Sequence, residues 1–291
     1  MIPNDFATQT IAREGAPGRT WIEQLPGLTE HYLGRWRCVP DGPPLHGQVA
    51  LIVPATRDGA SVVLKLSFPH LGNRGEPFAL AAWNGRGAIR LLERDDEAFA
   101  MLLERASHET LSTATEVWTE AGRLAHRLAV PAPPEITRLS SLSPGWRQQM
   151  LAQSKELGDP LPGRLIDAAL ETIDVFADDP TDTMLHGDLH CANILRAERE
   201  PWLAIDPKGL AGSAAYDAAT IVRDRPDELD GDLAAVLHRR LDAFSEAAEV
   251  DPQLARRATQ ARAVSSALWE RLHNQPRLGI DFADRISELL L

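Results

Sequence analysis

Lysine is scarce in this 291-residue sequence: only Lys65, Lys155 and Lys208 occur, and every other basic side chain is an arginine. Each lysine position therefore asks for a reason. Cysteine is limited to Cys38 and Cys191, far apart and in no CxxC pair. That leaves neither a disulfide framework nor a zinc knuckle, and a reducing cytoplasm is the expected compartment. No apolar run approaches membrane-spanning length, and the opening Met1-Ile2-Pro3-Asn4-Asp5-Phe6 has no basic segment followed by an apolar core. Neither export nor membrane insertion is expected. Positive charge is in deficit, 30 Lys and Arg against 42 Asp and Glu for a net of -12. This argues against a nucleic-acid backbone as partner and leaves two readings, solubility alone or an affinity for cationic ligands. Internal repeats and low-complexity tracts are lacking too, and a monomer is expected.

What is present suffices for two lobes, with 44% apolar residues. Helix-like spacing of Trp21, Ile22, Leu25, Leu28, Tyr32, Leu33 and Trp36 is interrupted by Pro26-Gly27, which predicts two short helices. A turn-rich Asp41–Gly47 leads to a strand at Gln48–Val53, a turn at Arg57–Ala60 and a second strand at Ser61–Phe68. That second strand contains Lys65. It is either an edge lysine pointing to solvent or an ion that grips the α- and β-phosphates of ATP, held by a glutamate on the following helix. Glu76, opening the helical Glu76–Trp83 with proline in its first turn, stands in the right place. Ala88–Asp95 and Glu97–Leu103 read as two more strands, and a further strand or the N-terminal segment would complete a five-stranded antiparallel sheet.

Past Leu103 the pattern turns polar and then helical. This composition shift sets the domain boundaries: 1–103 a sheet with helices, 104–108 a hinge, and 109–291 mainly helical. Backbone groups from Glu104 to Ala106 are candidates for hydrogen bonds to adenine. Helices are predicted at Thr113–Ala129, Pro144–Leu157, Gly163–Ala177, Tyr216–Val222, Leu229–Ala248, Pro252–Leu272 and Asp281–Leu291.

The most informative stretch is Leu185-His186-Gly187-Asp188-Leu189-His190-Cys191-Ala192-Asn193-Ile194-Leu195, with Ala204-Ile205-Asp206-Pro207-Lys208-Gly209 after it. A short hairpin, Ile194–Arg196 with Trp202–Ile205, holds Asn193 and Asp206 at adjacent strand ends. Phosphoryl transfer needs alignment and positive charge rather than covalent help. Mg²⁺ prefers oxygen ligands, and Asn193 and Asp206 supply them. Asp188 is then the base that accepts the proton of a substrate hydroxyl. A lone D-x-x-x-x-N is common in loops; the combination with His186-Gly187, the hairpin and Asp206 is not. His186, His190 and Cys191 lack a fourth ligand for structural zinc, so His186 is expected to be buried and hydrogen-bonded and His190 to orient the loop. Asp217 is expected to brace that loop. Lys208 either approaches phosphate, pairs with a carboxylate or lies on the surface.

With Trp83-Asn84-Gly85-Arg86-Gly87-Ala88-Ile89-Arg90-Leu91-Leu92, these motifs resemble the aminoglycoside/hydroxyurea antibiotic-resistance kinases of the aminoglycoside phosphotransferase group, most of all the streptomycin 6-kinases. The resemblance runs from about Trp36 to Leu241. It implies an α+β, two-lobed protein-kinase-like fold with a small antiparallel-sheet N-lobe and a larger, mainly helical C-lobe. It also implies ATP and Mg²⁺ as cofactors, Asp188 as base, Asn193 and Asp206 as magnesium ligands, and Lys65 with Glu76 as the phosphate grip. Two features depart from the pattern. Asp41–Gly47 is not the G-x-G-x-x-G loop of protein kinases, and Cys191-Ala192 replaces the small pair that many relatives carry. The implied activity is O-phosphorylation of an aminoglycoside, streptomycin first, with another hydroxylated metabolite or hydroxyurea as alternative and a nucleotide-binding pseudokinase as the non-enzymatic one. Guanidinium groups of such a substrate would suit Asp224, Asp227, Glu228, Asp230 or Asp232, although a solvated charge run reads the same way.

Overall fold

The computed structural model describes residues 2–228 and 231–291, apart from the side chain of Asp227. Within this set the chain divides into two compact units, Met1–Ser107 and His108–Leu291.

The first unit begins with two helices, α1 (Asn4–Glu14) and α2 (Ala16–Arg35). Its strands are β1 (Val39–Pro40), β2 (Leu45–His46), β3 (Ala50–Arg57), β4 (Ala60–Ser67), β5 (Leu91–Asp95) and β6 (Ala100–Glu104), and α3 (Glu76–Trp83) lies between β4 and β5. They form one antiparallel sheet in the order β1-β3-β4-β6-β5, with β2 also on β3. The N-terminal segment adds no strand; it covers one face. Phe6, Trp21, Leu25 and Tyr32 pack there against Leu51, Val53, Val62, Leu64, Leu66 and Leu102, every second residue of each strand, as the pleat requires. Contrary to the sequence expectation, α2 runs through Pro26 without a break. Proline forfeits one helical hydrogen bond, but Trp21, Leu25 and Tyr32 flank it and are buried, and tertiary burial of an amphipathic face outweighs a local breaker.

The second unit carries α4 (Val117–Leu128), β7 (Thr137–Arg138), α5 (Leu139–Glu156), α6 (Gly163–Asp178), β8 (Met184–Leu185), β9 (Ile194–Arg196), β10 (Trp202–Ala204), β11 (Leu210–Ala211), α7 (Ala215–Ile221), α8 (Leu233–Ala248), α9 (Pro252–Leu272) and α10 (Arg277–Leu289). The apolar stripe of α4, Val117, Ala121, Leu124, Ala125 and Leu128, is buried as its spacing predicts. α5 begins five residues before Pro144 and accommodates that proline inside its first turns. Met150, Leu165, Ile166, Val264, Leu268 and Ala283 make the core shared by α5, α6, α9 and α10. No helix among the described residues is long and apolar enough to cross a membrane.

Two small sheets set up the central motif. β9 and β10 pair antiparallel, with Ala204 opposite Ile194, and the Ile205 N–H continues the ladder to the Asn193 carbonyl at 2.9 Å. β11 lies between β7 and β8, with Leu210 opposite Leu185. The chain leaving β10 is thus returned beside the chain leaving β8.

α4 and α8 approach closely at Gly122, where a Cβ would lie 2.5 Å from the Phe244 carbonyl oxygen. Helix propensity alone would make Gly122→Ala stabilising by about 1 kcal/mol. The contact should reverse the sign, with a net loss of about 1–3 kcal/mol from overpacking. Urea unfolding of the variant measures it, and a stabilised Gly122→Ala would contradict the packing described.

Candidate active site

In the first unit Lys65 occupies the centre of the sheet, with Ile52 on β3 and Met101 on β6 as strand partners. Alternation turns it away from the α1–α2 face. It is 5% exposed, and its Nζ lies 2.6 Å and 2.7 Å from the two carboxylate oxygens of Glu76, itself 3% exposed. The solvent-facing edge reading is therefore excluded. Two opposite charges are buried together, as a charge removed from water demands.

At the end of β6 the Glu104 N–H donates to the Arg90 carbonyl (2.9 Å), and its carboxylate accepts from the Arg90 N–H (2.9 Å). Ala106 follows in irregular chain, half-buried. Of the two, Ala106 has the backbone N–H without a partner among the described residues.

In the second unit the loop after β8 is organised by Asp217 on α7. Its carboxylate, 1% exposed, accepts the N–H of His186 at 2.8 Å and of Gly187 at 2.7 Å. Burial pushes its pKa up to about 7, against the pull of those two N–H groups. Gly187 has a left-handed backbone, φ 83, and a Cβ there would meet Leu210 at 2.9 Å and Lys208 at 3.0 Å, so only glycine fits.

The imidazole of His186 is fully buried, as expected. Its Nε2 lies 2.9 Å from the Ile205 carbonyl, which can only accept, and its Nδ1 accepts the Asp188 N–H at 3.2 Å. Both ring nitrogens are thereby assigned, and the neutral Nε2–H tautomer is the one that satisfies them. Burial accordingly pushes its pKa down to about 4.

Asp188 itself is partly exposed, with 30% of its side-chain surface open and Oδ2 3.8 Å from the Lys208 ammonium. Its carbonyl accepts the Asn193 side-chain N–H at 3.0 Å, which orients the amide so that Oδ1 is the end left for a cation. Asn193 is 7% exposed, and its backbone is tied to Ile205, one residue before Asp206. Asp206 is half-buried in a left-handed conformation, φ 55, which aspartate tolerates better than branched residues do. An amide oxygen and a carboxylate are the donor set a hard divalent cation prefers.

His190 contributes to the loop by its backbone, its carbonyl accepting the Asn193 N–H at 2.9 Å. Three of the acidic candidates for substrate binding have partners within the chain. Asp224 accepts the Cys191 N–H at 2.5 Å, Glu228 pairs with Arg225 and with Arg240, and Asp232 caps α8 through the Ala235 N–H. The Asp227 side chain and residue Asp230 lie outside the described residues. Arg240, which the sequence reading did not single out, is 3% exposed and donates to the carbonyls of Val222 (3.1 Å), Asp224 (2.6 Å) and Arg225 (3.3 Å). It stacks over Trp118 at 4.2 Å. An arginine on the otherwise apolar stripe Leu233, Leu237, Leu241, Phe244 was the available signal.

Solved structures share this architecture. A choline/ethanolamine kinase family protein from Mesorhizobium loti superposes with a TM-score of 0.59 at 18% identity, covering 90% of this chain and 94% of the other. Aminoglycoside phosphotransferase APH(4)-Ia gives a TM-score of 0.56 at 16% identity, covering 91% and 98%. The fold is α+β and protein-kinase-like, with an antiparallel-sheet N-terminal unit and a mainly helical C-terminal one.

Closer relatives refine the class. A streptomycin 6-kinase from Streptomyces glaucescens is 35% identical over 277 residues, covering 92% of this chain and 90% of that protein. A hydroxyurea phosphotransferase from Kitasatospora aureofaciens is 36% identical, covering 92% and 80%. The family model for aminoglycoside/hydroxyurea antibiotic resistance kinases matches residues 35–273. The chain belongs to that family and is a phosphotransferase.

Two outcomes are expected. Lys65→Met removes the bidentate partner of a buried carboxylate and should cost about 3–5 kcal/mol, whereas Lys65→Met with Glu76→Leu should recover most of it. Chemical unfolding of both variants tests this, and a double variant no more stable than the single one would contradict the pairing.

The second concerns pH. His186 has a folded pKa below its ordinary 6.5, so the unfolded chain takes the proton first and stability falls as pH drops from about 6.5 to 4. Asp217 has a folded pKa above its ordinary 3.8, so acidification across the same window raises stability. The two oppose each other in the native protein. Asp217→Asn should therefore steepen the acid loss by up to about 1.4 kcal/mol per pH unit. Equal slopes for native and variant protein in urea unfolding across that window would overturn it.

Proposed function

We propose that this kinase transfers the γ-phosphoryl group of ATP to a hydroxyl of an aminoglycoside, streptomycin being the first acceptor to test. The observation that carries the reading is the convergence of Asp188, Asn193 and Asp206 on one loop-and-hairpin scaffold, with Asp188 partly exposed and, among the described residues, hydrogen-bonded only through its backbone. ATP as donor is supported by the ternary complex of APH(4)-Ia with ADP and hygromycin B, a property of that protein. The acceptor is supported by the streptomycin 6-kinases among the relatives. Hydroxyurea is the second acceptor, on the strength of a relative of equal similarity.

In this reading Asp188 receives the hydrogen bond of the acceptor hydroxyl, turns its oxygen toward phosphorus and takes the proton as the new P–O bond forms. The bond from phosphorus to the β-phosphate oxygen breaks, leaving ADP. Asn193, through Oδ1, and Asp206 would hold Mg²⁺, which supplies charge neutralisation at the phosphates. Lys65, kept in place by Glu76, would contact the α- and β-phosphates, and the Ala106 N–H with the Glu104 carbonyl would meet the adenine. Asp224, tied to the catalytic loop through the Cys191 N–H, would be the first candidate for a guanidinium of the acceptor, with Asp227 and Glu228 after it. The free, buried thiols of Cys38 and Cys191 suit a cytoplasmic enzyme.

Incubation with ATP and streptomycin should add the mass of one phosphoryl group to the antibiotic. Asp188→Asn should lower kcat by roughly 10²–10⁴-fold. Phosphorylation of hydroxyurea alone would move the acceptor assignment to the second reading. Unchanged turnover in Asp188→Asn would remove Asp188 from its role.

A further inference from the structure

Lys208 is built into the loop that carries Asp188. Its backbone N–H donates to the His186 carbonyl at 2.8 Å. Its Cβ takes up the space that a side chain on Gly187 would need, at 3.0 Å from the ideal position. The root of the lysine is therefore fixed, while the four-carbon stem is free to swing. Its ammonium lies 3.8 Å from Asp188 Oδ2, with 38% of the side chain exposed.

That distance is close enough for a solvent-screened attraction and too long for a hydrogen bond, for which N···O runs at about 2.7–3.2 Å. Among the described residues no acceptor takes any of the three ammonium N–H groups. A structural ion pair would have closed the gap. The choice of residue is also informative, because this chain uses arginine for nearly every other cation. Lysine provides a compact, mobile point charge where arginine provides a fixed planar fork.

We propose that Lys208 is a catalytic residue whose ligand is the oxyanion of the transferring γ-phosphoryl group. This rests on the proposed role of Asp188. A hydroxyl bound to Asp188 has its oxygen about 3–3.5 Å from the phosphorus it attacks, so the phosphoryl oxygens fall within the swing of Lys208. As the acceptor O–P bond forms and the P–O bond to the β-phosphate breaks, the proton passes to Asp188 and the electron pair leaves with ADP. Lys208 stays protonated throughout and donates to a phosphoryl oxygen, where charge is spread in a loose transition state.

The test compares binding of AMP-PNP and ADP, each with Mg²⁺, to the whole protein by calorimetry, which needs no acceptor. Losing a charge-assisted hydrogen bond to the γ-phosphoryl group should weaken AMP-PNP by about tenfold in Lys208→Met and Lys208→Gln. ADP affinity should stay within about twofold. Lys208→Arg should retain most of the preference, being a cation on a similar stem. Turnover with streptomycin should fall by roughly 100-fold in the neutral variants, with KM for ATP changed far less. A ratio of AMP-PNP to ADP affinity equal to that of the native protein in both neutral variants would overturn the proposal. So would an equal weakening of both nucleotides with a lower Tm, the signature of a structural brace. Full turnover in Asp188→Asn would refute the base while leaving the nucleotide comparison intact, so the two failures are distinguishable.

Discussion

The loop that carries Asp188 in the helical unit depends on one enclosed carboxylate. Asp217 accepts two consecutive backbone N–H groups, from His186 and Gly187, and so determines where the loop turns. His186 then uses its two nitrogens to join that loop to Ile205 and to the Asp188 amide. The chain of bonds ends at Asp188, whose carboxylate is left open. A buried carboxylate is costly to desolvate, and here two peptide donors offset the cost. Rigidity of this kind would suit the base proposed at Asp188, which must be held in one position to work.

The sheet unit solves a related problem differently. Lys65 and Glu76 together could have been replaced by apolar residues with little loss of stability, since buried ion pairs rarely gain over hydrophobic isosteres. An ammonium retained at the centre of a sheet, clamped by both oxygens of Glu76, fits the anion grip proposed for it. Lys208, half-exposed beside Asp188, is its counterpart in mobility. Two of the three lysines are thus the ones to which the proposed reaction gives a use.

Much of this was legible in the residues. The β9–β10 hairpin was predicted with nearly its observed ends, because its turn is marked by Glu198–Pro201 and its strands are apolar. Asp217 was readable as a brace, and Lys65 with Glu76 as a pair. Pro26 misled, because a breaker acts locally whereas Trp21, Leu25 and Tyr32 are held by a sheet made later in the chain. Arg240 was legible only as a break in an apolar stripe, because most of its partners are the carbonyls of Val222, Asp224 and Arg225, which no side-chain pattern announces. The partners of the acidic run after Arg223 were equally hidden. Only coordinates show that Asp224, Glu228 and Asp232 are tied to Cys191, Arg240 and Ala235. The tautomer of His186 likewise follows from Ile205, nineteen residues away in sequence.

In the proposed reaction Asp188 delivers an acceptor hydroxyl directly to the γ-phosphorus of ATP, with no phosphorylated enzyme between. The most direct measurement is the stereochemical course of transfer from ATP made chiral at the γ-phosphorus with oxygen isotopes. A single in-line displacement inverts the configuration in the phosphorylated product, and inversion is the expected result. Retention would mean two displacements through a covalent phosphoenzyme, and would contradict the assignment of Asp188 as a base.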